Sequence, residues 1–251
     1  MANPTFWYYP DPTGDPVSID LADTLSDLVE TPITEATDAR GLDWVTARSV
    51  KGAGLRIRVV LERFGGPSTS SLERSLRTLE NHLHRGGLCA FAADSAKAWA
   101  GVSSSALVPG ATSWTGSGRL FNALAPSATL ASGDELVIET ASPENMRQYL
   151  TAGATMGAGN THTLGSAVQF PFAENSVLRW RDFFPILSLP EDQTGKTLVT
   201  NDHRRNFTLD VDLEYTPARV IAWWGGPIAQ AAQAGAFEGV LVGGQKAGGA
   251  N

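Results

Sequence analysis

Strict alternation of side-chain character in residues 207–215 constrains the fold more than any other feature of the sequence. Apolar or aromatic side chains occupy every second position, and these are Phe207, Leu209, Val211, Leu213 and Tyr215. The positions between them are polar or acidic: Thr208, Asp210, Asp212 and Glu214. A period of two is that of a β-strand, whose successive side chains point to opposite faces. The sequence therefore predicts a strand with one buried face and one acidic face.

The acidic face of this strand is open to three interpretations. Asp210, Asp212 and Glu214 would lie about 6.5–7 Å apart along one face. They could form a metal site, such as one for calcium, or a sugar site, a pair of them could serve a glycosidase, or the face could be solvated or lie in an interface. No second set of ligands follows nearby, so we favour the solvated or interface face. We assign no catalytic, cofactor-binding or metal-binding residue and expect no cofactor.

Composition and charge exclude several classes of protein. The 251 residues include 26 Gly and 14 Pro, which favours many short strands joined by turns over long helices. The net charge is −7 and no basic run occurs, so we expect no sequence-specific binding of nucleic acid. No apolar run approaches the ~20 residues of a membrane span, so we expect no membrane association. The N-terminus lacks a signal peptide, which predicts synthesis in a cytosol.

The first hundred residues combine strands with one helix. Residues 6–9 and 16–21 read as a hairpin, and residues 51–64 read as a long amphipathic strand with Leu55 and Leu61 on its buried face. A helix is predicted over residues 71–85, with Ser70 and Glu73 as a capping box. Its apolar stripe, which must pack on a sheet, consists of Leu72, Leu76, Leu79 and Leu83. Cys89 lies in an apolar strand, which predicts a buried, inert thiol.

The remainder of the chain divides at a shift in composition after residue 100. Small and breaker residues dominate there, which predicts an inserted β subdomain over residues 101–173. Within it, residues 141–150 are typical of a short helix with Pro143 at its first position. Residues 177–189 are apolar and aromatic and predict the hairpin partner of the alternating strand. Residues 219–224 read as a strand-like piece, and residues 219–251 form a predicted C-terminal arm.

Several short motifs do not meet the requirements of a binding or catalytic site. The sequence Thr194-Gly-Lys-Thr197 lacks the first glycine of a phosphate-binding loop, because Pro190 occupies that position, so it predicts a turn. Gly153 and Gly165 bound a loop-rich passage. The four histidines do not have the spacing of a zinc site; they are His82, His84, His162 and His203. No nucleophile elbow is present either.

Several of these segments together resemble minor tail proteins of long-tailed bacteriophages, most closely the distal tail proteins. The segments are the aromatic β opening, the long strand with Arg56 and Arg58, the leucine-rich helix, residues 179–189 and residues 207–215. The resemblance covers residues 5–95 and 175–217. It implies a mainly β fold, a β-sandwich or split barrel with one packed α-helix, and a second small β subdomain.

The resemblance also implies a structural role without enzymatic activity. Residues 1–100 together with 174–218 would form a ring-forming β domain, and the subunits would assemble as a homo-oligomeric ring, which we expect to be a hexamer. The ring would join the tail tube protein to tail-tip hub or baseplate proteins around the DNA channel of the virion. Its working surfaces would be the strand at 55–61, the helix at 72–83 and the hairpin ending at Tyr215.

Two other functions stay open at the level of sequence. A carbohydrate-binding module acting at the host surface could use Trp114, Trp223 or Trp224 as a stacking platform. A polysaccharide hydrolase could use two of Asp210, Asp212 and Glu214.

Overall fold

The structure is a computed structural model that describes residues 3–8, 17–21, 25–40, 46–63, 69–118, 127–140, 146–157, 159–201 and 207–225. In these residues the protein is mainly β, as the sequence predicted, and it has two antiparallel sheets and two α-helices, one more than the single packed helix that was expected. His203, Pro143 and residues 226–251 of the predicted arm lie outside the described residues.

The first sheet has eight strands. In chain order they are β1 (Thr5–Tyr8), β2 (Val17–Asp20), β3 (Leu25–Arg40), β4 (Thr46–Arg63), β5 (Leu88–Ala92), β12 (Phe183–Ser188), β13 (Val199–Asn201) and β14 (Phe207–Tyr215). Their order across the sheet is β2-β1-β5-β12-β14-β4-β3, and β13 also pairs with β14. The predicted hairpin of the first strands is present, because Thr5 to Tyr8 pair with Asp20 to Val17.

The second sheet has six strands, contributed by the middle of the chain. They are β6 (Ala100–Ser103), β7 (Ser113–Gly118), β8 (Glu135–Glu139), β9 (Arg147–Thr151), β10 (Thr161–Thr163) and β11 (Val177–Trp180), arranged in the order β10-β7-β6-β11-β8-β9. A bridge between Ala152 and Leu164 brings the ends of the two outer strands together. The second sheet thus occupies much of the predicted insertion, whose boundaries at 101 and 173 stay a prediction.

The alternating strand is the long central element of the first sheet. β14 pairs with β4 along its whole length, from Phe207 opposite Arg63 to Tyr215 opposite Leu55. The odd-numbered positions of β14 are buried, and so are Leu55, Ile57, Val59 and Leu61 of β4. Both predicted amphipathic strands are confirmed, and their apolar sides belong to one core that also includes residues of the second sheet.

Helix α1 (Thr69–His84) buries its apolar stripe as predicted. Leu76, Leu79 and Leu83 are almost completely shielded from solvent, and Leu72 is nearly so. The chain leaves the helix through Gly86, whose φ of 82° is favourable for glycine. The capping box was wrong, because the helix begins at Thr69 and Ser70 lies inside its first turn. Serine and threonine have only modestly unfavourable helix propensities, so Thr69 and Ser70 can both be part of the first turn.

Three expectations in the second half of the chain need correction. No helix begins within 146–151; instead β9 pairs with β8 and buries Gln148 and Leu150. Residues 219–224 belong to helix α2 (Pro217–Gly225), with Pro217 at its start and Val220 buried. The apolar run 177–189 is two strands, β11 and β12, in different sheets. β12 pairs with β14 only at Ser188 and Glu214, and β13 is the hairpin partner.

Candidate functional site

The outer face of β4 and β14 carries the three acids that the sequence singled out, and the structure gives each a polar partner. Arg58 donates two hydrogen bonds to the carboxylate of Asp210, from Nε at 2.9 Å and from Nη2 at 2.7 Å. These hydrogen bonds lower the pKa of Asp210. Gln193 donates to Asp212 at 3.2 Å.

Glu214, the third acid, lies near the guanidinium group of Arg56, which also pairs with Asp192. Arg56 Nη2 lies 3.9 Å from Glu214 and 3.1 Å from Asp192. The acidic face is therefore a set of cross-strand ion pairs and hydrogen bonds. Within the described parts of the chain, no group of three or more His, Cys, Asp or Glu side chains is placed to hold a metal ion.

A polar hollow of about 560 Å³ opens on the same face beside β13 and β14. Arg58, Gln193, Asp210 and Asp212 line it together with threonine hydroxyls and Leu198. The predicted turn at 194–197 borders it, and Gly195 there has a φ of 82°. Asp210 is paired with Arg58, whereas Asp212 has the uncharged Gln193 as its partner, so the residues that line the hollow carry a formal charge of 1 − 2 = −1.

The first sheet ends in two strands that have no further neighbour among the described residues, β2 on one side and β3 on the other. Such edges present unpaired backbone N–H and C=O groups that can pair with another chain. Val17 on β2 is 36% exposed and Val29 on β3 is 40% exposed, so each of these strands has a side chain open to solvent.

The β3–β4 hairpin extends past the end of the sheet. β14 stops opposite Leu55, whereas β3 and β4 stay paired as far as Arg40 and Thr46. At about 3.4 Å a residue, Ile33 to Arg40 corresponds to roughly 24 Å of two-stranded ribbon. The register shifts between Ile33 and Thr34, where the ribbon leaves the sheet. Gly54 sits there with a φ of 152°, and a Cβ on it would lie 2.4 Å from the Tyr215 carbonyl oxygen.

A buried ion network joins the two sheets. Arg179 of β11 is fully buried and donates two hydrogen bonds of 3.2 Å to the carboxylate of Glu139 on β8. Tyr215, at the end of β14 in the first sheet, donates its hydroxyl hydrogen to the same carboxylate at 2.8 Å. Arg179 also donates to the carbonyl oxygens of Trp180 and Phe183, at 3.3 and 3.1 Å. The guanidinium group of Arg179 therefore holds the backbone of residues 180–183, where the chain passes from the second sheet to the first.

The charges of this network stabilise one another. Burial by itself would raise the pKa of Glu139, but the positive charges of Arg179 and Arg147 outweigh burial, so the pKa is lowered. Arg147 Nε lies 2.8 Å from Glu139, close enough for an ion pair, although its N–H does not have the direction of a hydrogen bond. Burial, and then the charge of Glu139, raise the pKa of Tyr215, which keeps its hydroxyl protonated.

Sequence reasoning did not identify this network. Most side chains of residues 177–189 are apolar or aromatic, and their pattern predicts a strand without indicating a role for Arg179. The available signal was a charged residue inside a short apolar strand, since a buried charge requires a partner. Its partners Glu139 and Tyr215 lie 40 and 36 positions away, so only the fold identifies them.

The aromatic candidate that the structure describes is buried. Trp114 has no exposed surface and packs against Trp99 and His162, with ring centroids 5.7 and 5.8 Å apart. It cannot stack on a sugar without unfolding its surroundings, so that part of the carbohydrate alternative was wrong. The side chains of Trp223 and Trp224 lie outside the described residues. Cys89 is buried, as expected, and burial raises the pKa of its thiol.

Comparison with known proteins adds little to this geometry. No protein-family model matches the chain, and no curated protein matches it. Among solved structures, the chain is similar to the crystal structure of the Dit protein of phage SPP1, described as a paradigm of the hub adsorption apparatus in phages that infect Gram-positive bacteria. The identity is 10%, the match covers 83% of this chain and 98% of the other, and the TM-score is 0.25. A TM-score of this size does not establish a common fold.

No helix in the described ranges has both the length and the apolar character that a membrane crossing requires.

Proposed function

We propose that the protein is a structural component of a bacteriophage tail, and that its subunits form a ring joining the tail tube to the tail tip or baseplate. The resemblance of its segments to distal tail proteins gives the class. The single observation that supports the ring is the first sheet, whose edge strands β2 and β3 have no further partner in the described part of the chain and whose β3–β4 hairpin projects beyond it.

Two different open edges favour a closed ring over a dimer. If β2 of one subunit pairs with β3 of the next, the contact is head-to-tail, and such contacts generate rings when the rotation closes. The projecting ribbon supports the same arrangement, because a two-stranded ribbon alone is only marginally stable in water. A neighbouring subunit would supply the missing contacts.

The outer face of β4 and β14 is suited to line a channel for DNA. Two arginines, Arg56 and Arg58, lie among five acids, so the formal charge of this group is 2 − 5 = −3; the acids are Glu62, Asp192, Asp210, Asp212 and Glu214. The arginines are engaged by carboxylates and are not free to bind phosphates. A mildly negative wall lets DNA pass without attracting it.

The partners and the location follow from this role. We propose that the ring contacts the tail tube protein on one side and tail-tip hub or baseplate proteins on the other, in the tail of the virion. We propose no catalytic activity. Trp114, one of the three tryptophans of the carbohydrate-binding alternative, is buried and does not support it.

A charge placed on the β3 edge tests the ring. We expect Val29→Lys to prevent ring formation, because strand edges bearing lysine resist edge-to-edge pairing. Val108→Lys is the matched control, since Val108 is 66% exposed and lies outside the first sheet. Light scattering on the purified full chain gives the mass of each variant.

The proposal predicts an oligomer for the wild type and for Val108→Lys, and a folded monomer for Val29→Lys. An oligomer of unchanged mass in Val29→Lys would contradict pairing through β3.

A further inference from the structure

A cleft of about 320 Å³ opens where β3 of the first sheet passes β9 and the turn between β11 and β12. Its lining comes from both sheets and consists of Leu28, Glu30, Tyr149, Arg181 and Asp182. Ligand sites of about this size occur preferentially where two packed units meet. The cleft lies apart from the charged face of β4 and β14, which has other lining residues.

Glu30 is the group in this cleft that lacks a close partner. Its side chain is half-buried, yet no hydrogen bond or ion pair joins it to another described residue. Burial raises its pKa, and the negative charges of Asp182 and Glu139 act in the same direction. The positive charges of Arg179 and Arg147 act against burial but do not outweigh it. The ionised carboxylate is thus incompletely compensated, and a cation entering the cleft would stabilise it.

Tyr149 supplies an aromatic surface beside this carboxylate. It is 58% exposed, although the neighbouring Gln148 and Leu150 of β9 are buried. An exposed aromatic ring attracts a cation placed over its face, and guanidinium groups do this more often than ammonium groups. Leu28 adds an apolar wall for the methylene groups of a long side chain.

The remaining two lining residues already pair with each other at the rim. Arg181 Nε lies 3.4 Å from Asp182, and a second nitrogen of Arg181 contacts Glu135. The charges of the residues that line the cleft therefore sum to 1 − 2 = −1, and the positive charges of Arg179 and Arg147 compensate Glu30 only in part. This electrostatic balance fits a guest that carries one positive charge.

We propose that this cleft binds an arginine side chain of a protein partner, with Glu30 accepting hydrogen bonds from the guanidinium and Tyr149 packing against its plane. A planar guanidinium can satisfy both oxygens of a carboxylate at once and can stack on an aromatic ring, which an ammonium group cannot do. The lining comes from a single chain, and two of its residues, Leu28 and Glu30, lie on β3, the strand that we propose pairs with the next subunit of the ring.

A chemically defined probe tests the site directly. N-acetyl-arginine methylamide carries the charge and the side chain, and the corresponding citrulline compound has nearly the same shape without the charge. We expect the arginine probe to shift the NMR signals of residues around the cleft saturably, with a dissociation constant in the millimolar range. The citrulline probe should bind at least about tenfold more weakly, since a hydrogen bond between charged groups is worth roughly 1.5–3 kcal/mol.

Variants assign the binding to the cleft. Glu30→Gln should weaken binding of the arginine probe by about tenfold or more. Tyr149→Leu should weaken it by roughly two- to fivefold. Glu191→Gln is the control, because Glu191 is exposed on the turn before β13 and does not line the cleft. Affinity should also fall on acidification at a pH above the usual carboxyl range, since Glu30 has a raised pKa and must be ionised to bind.

Equal affinity for the arginine and citrulline probes, unchanged affinity in Glu30→Gln, or no saturable binding would each overturn the proposal. The comparison of the two probes uses the wild-type protein alone, so it decides the question even if a variant fails to fold.

Discussion

At the residue scale, Arg179 is the side chain on which the junction of the two sheets depends most. It is the fully buried cation of the network, and its guanidinium lies 4.5 Å from the ring centroid of Phe184 and 4.9 Å from that of Tyr215. It holds Glu139 and three carbonyl oxygens of the crossing chain. Removing it would leave Glu139 as a buried charge that keeps the hydroxyl of Tyr215 and the positive charge of Arg147 as its partners among the described residues.

Replacement of Arg179 should therefore be far more costly than replacement of its neighbour Arg181. We expect Arg179→Met to lower the free energy of unfolding by roughly 3–5 kcal/mol, the usual effect of breaking a buried ion pair. Arg181→Met breaks only exposed pairs and should cost about 1 kcal/mol or less. Urea denaturation of both variants measures the difference, and similar losses would show that the network does not stabilise the fold.

The sequence could predict the burial of single residues only where the neighbours along the chain decide it. Cys89 lies in an apolar strand, and its burial follows from that setting. Arg179 lies in a comparable run, but its burial depends on Glu139 and Tyr215, which come from distant strands. Trp114 likewise looked available for binding, because only the packing of Trp99 and His162 around it shows that it is enclosed.

At the scale of elements, long periodic segments determine their own structure. β4, β14 and α1 each repeat their pattern over several periods, and all three form as predicted. β9 and α2 have only five and nine residues, so their local patterns do not distinguish strand from helix. Pairing with β8 decides the first, and packing of Val220 against the core accompanies the second.

The packing of α1 against the first sheet can be tested with one new side chain at two positions. Leu76 is fully buried, whereas Arg74 on the same helix is exposed. Leu76→Asp introduces an unpaired buried charge, which should cost several kcal/mol, a large part of the 5–15 kcal/mol that stabilises a typical domain. Arg74→Asp should leave the stability nearly unchanged.

Circular dichroism during thermal unfolding compares the two variants. We expect Leu76→Asp to be unfolded or to melt at a much lower temperature. A soluble Leu76→Asp variant that melts like Arg74→Asp would show that α1 does not pack on the sheet.

At the scale of the whole molecule, two sheets share one core while the first sheet keeps two strand edges unpaired among the described residues. Open edges favour uncontrolled aggregation unless a partner covers them. A ring satisfies both edges at once, because each subunit gives one edge and receives the other.

The sequence predicted a mainly β protein with a second β unit, but it could not show which strands are edges. Strand order across a sheet depends on contacts between residues far apart in the chain, such as β5 with β12 and β4 with β14. The projecting ribbon could not be predicted from the sequence either, because its length depends on the residue of β4 at which pairing with β14 ends. The features that carry the proposed function are thus properties of the assembled sheet.

Negative-stain electron microscopy of the purified full chain tests the proposed ring most directly. The ring assembly predicts annular particles of uniform diameter, with a central hole wide enough for duplex DNA. Dispersed monomers at concentrations where the protein is fully folded would contradict a ring formed by this chain alone.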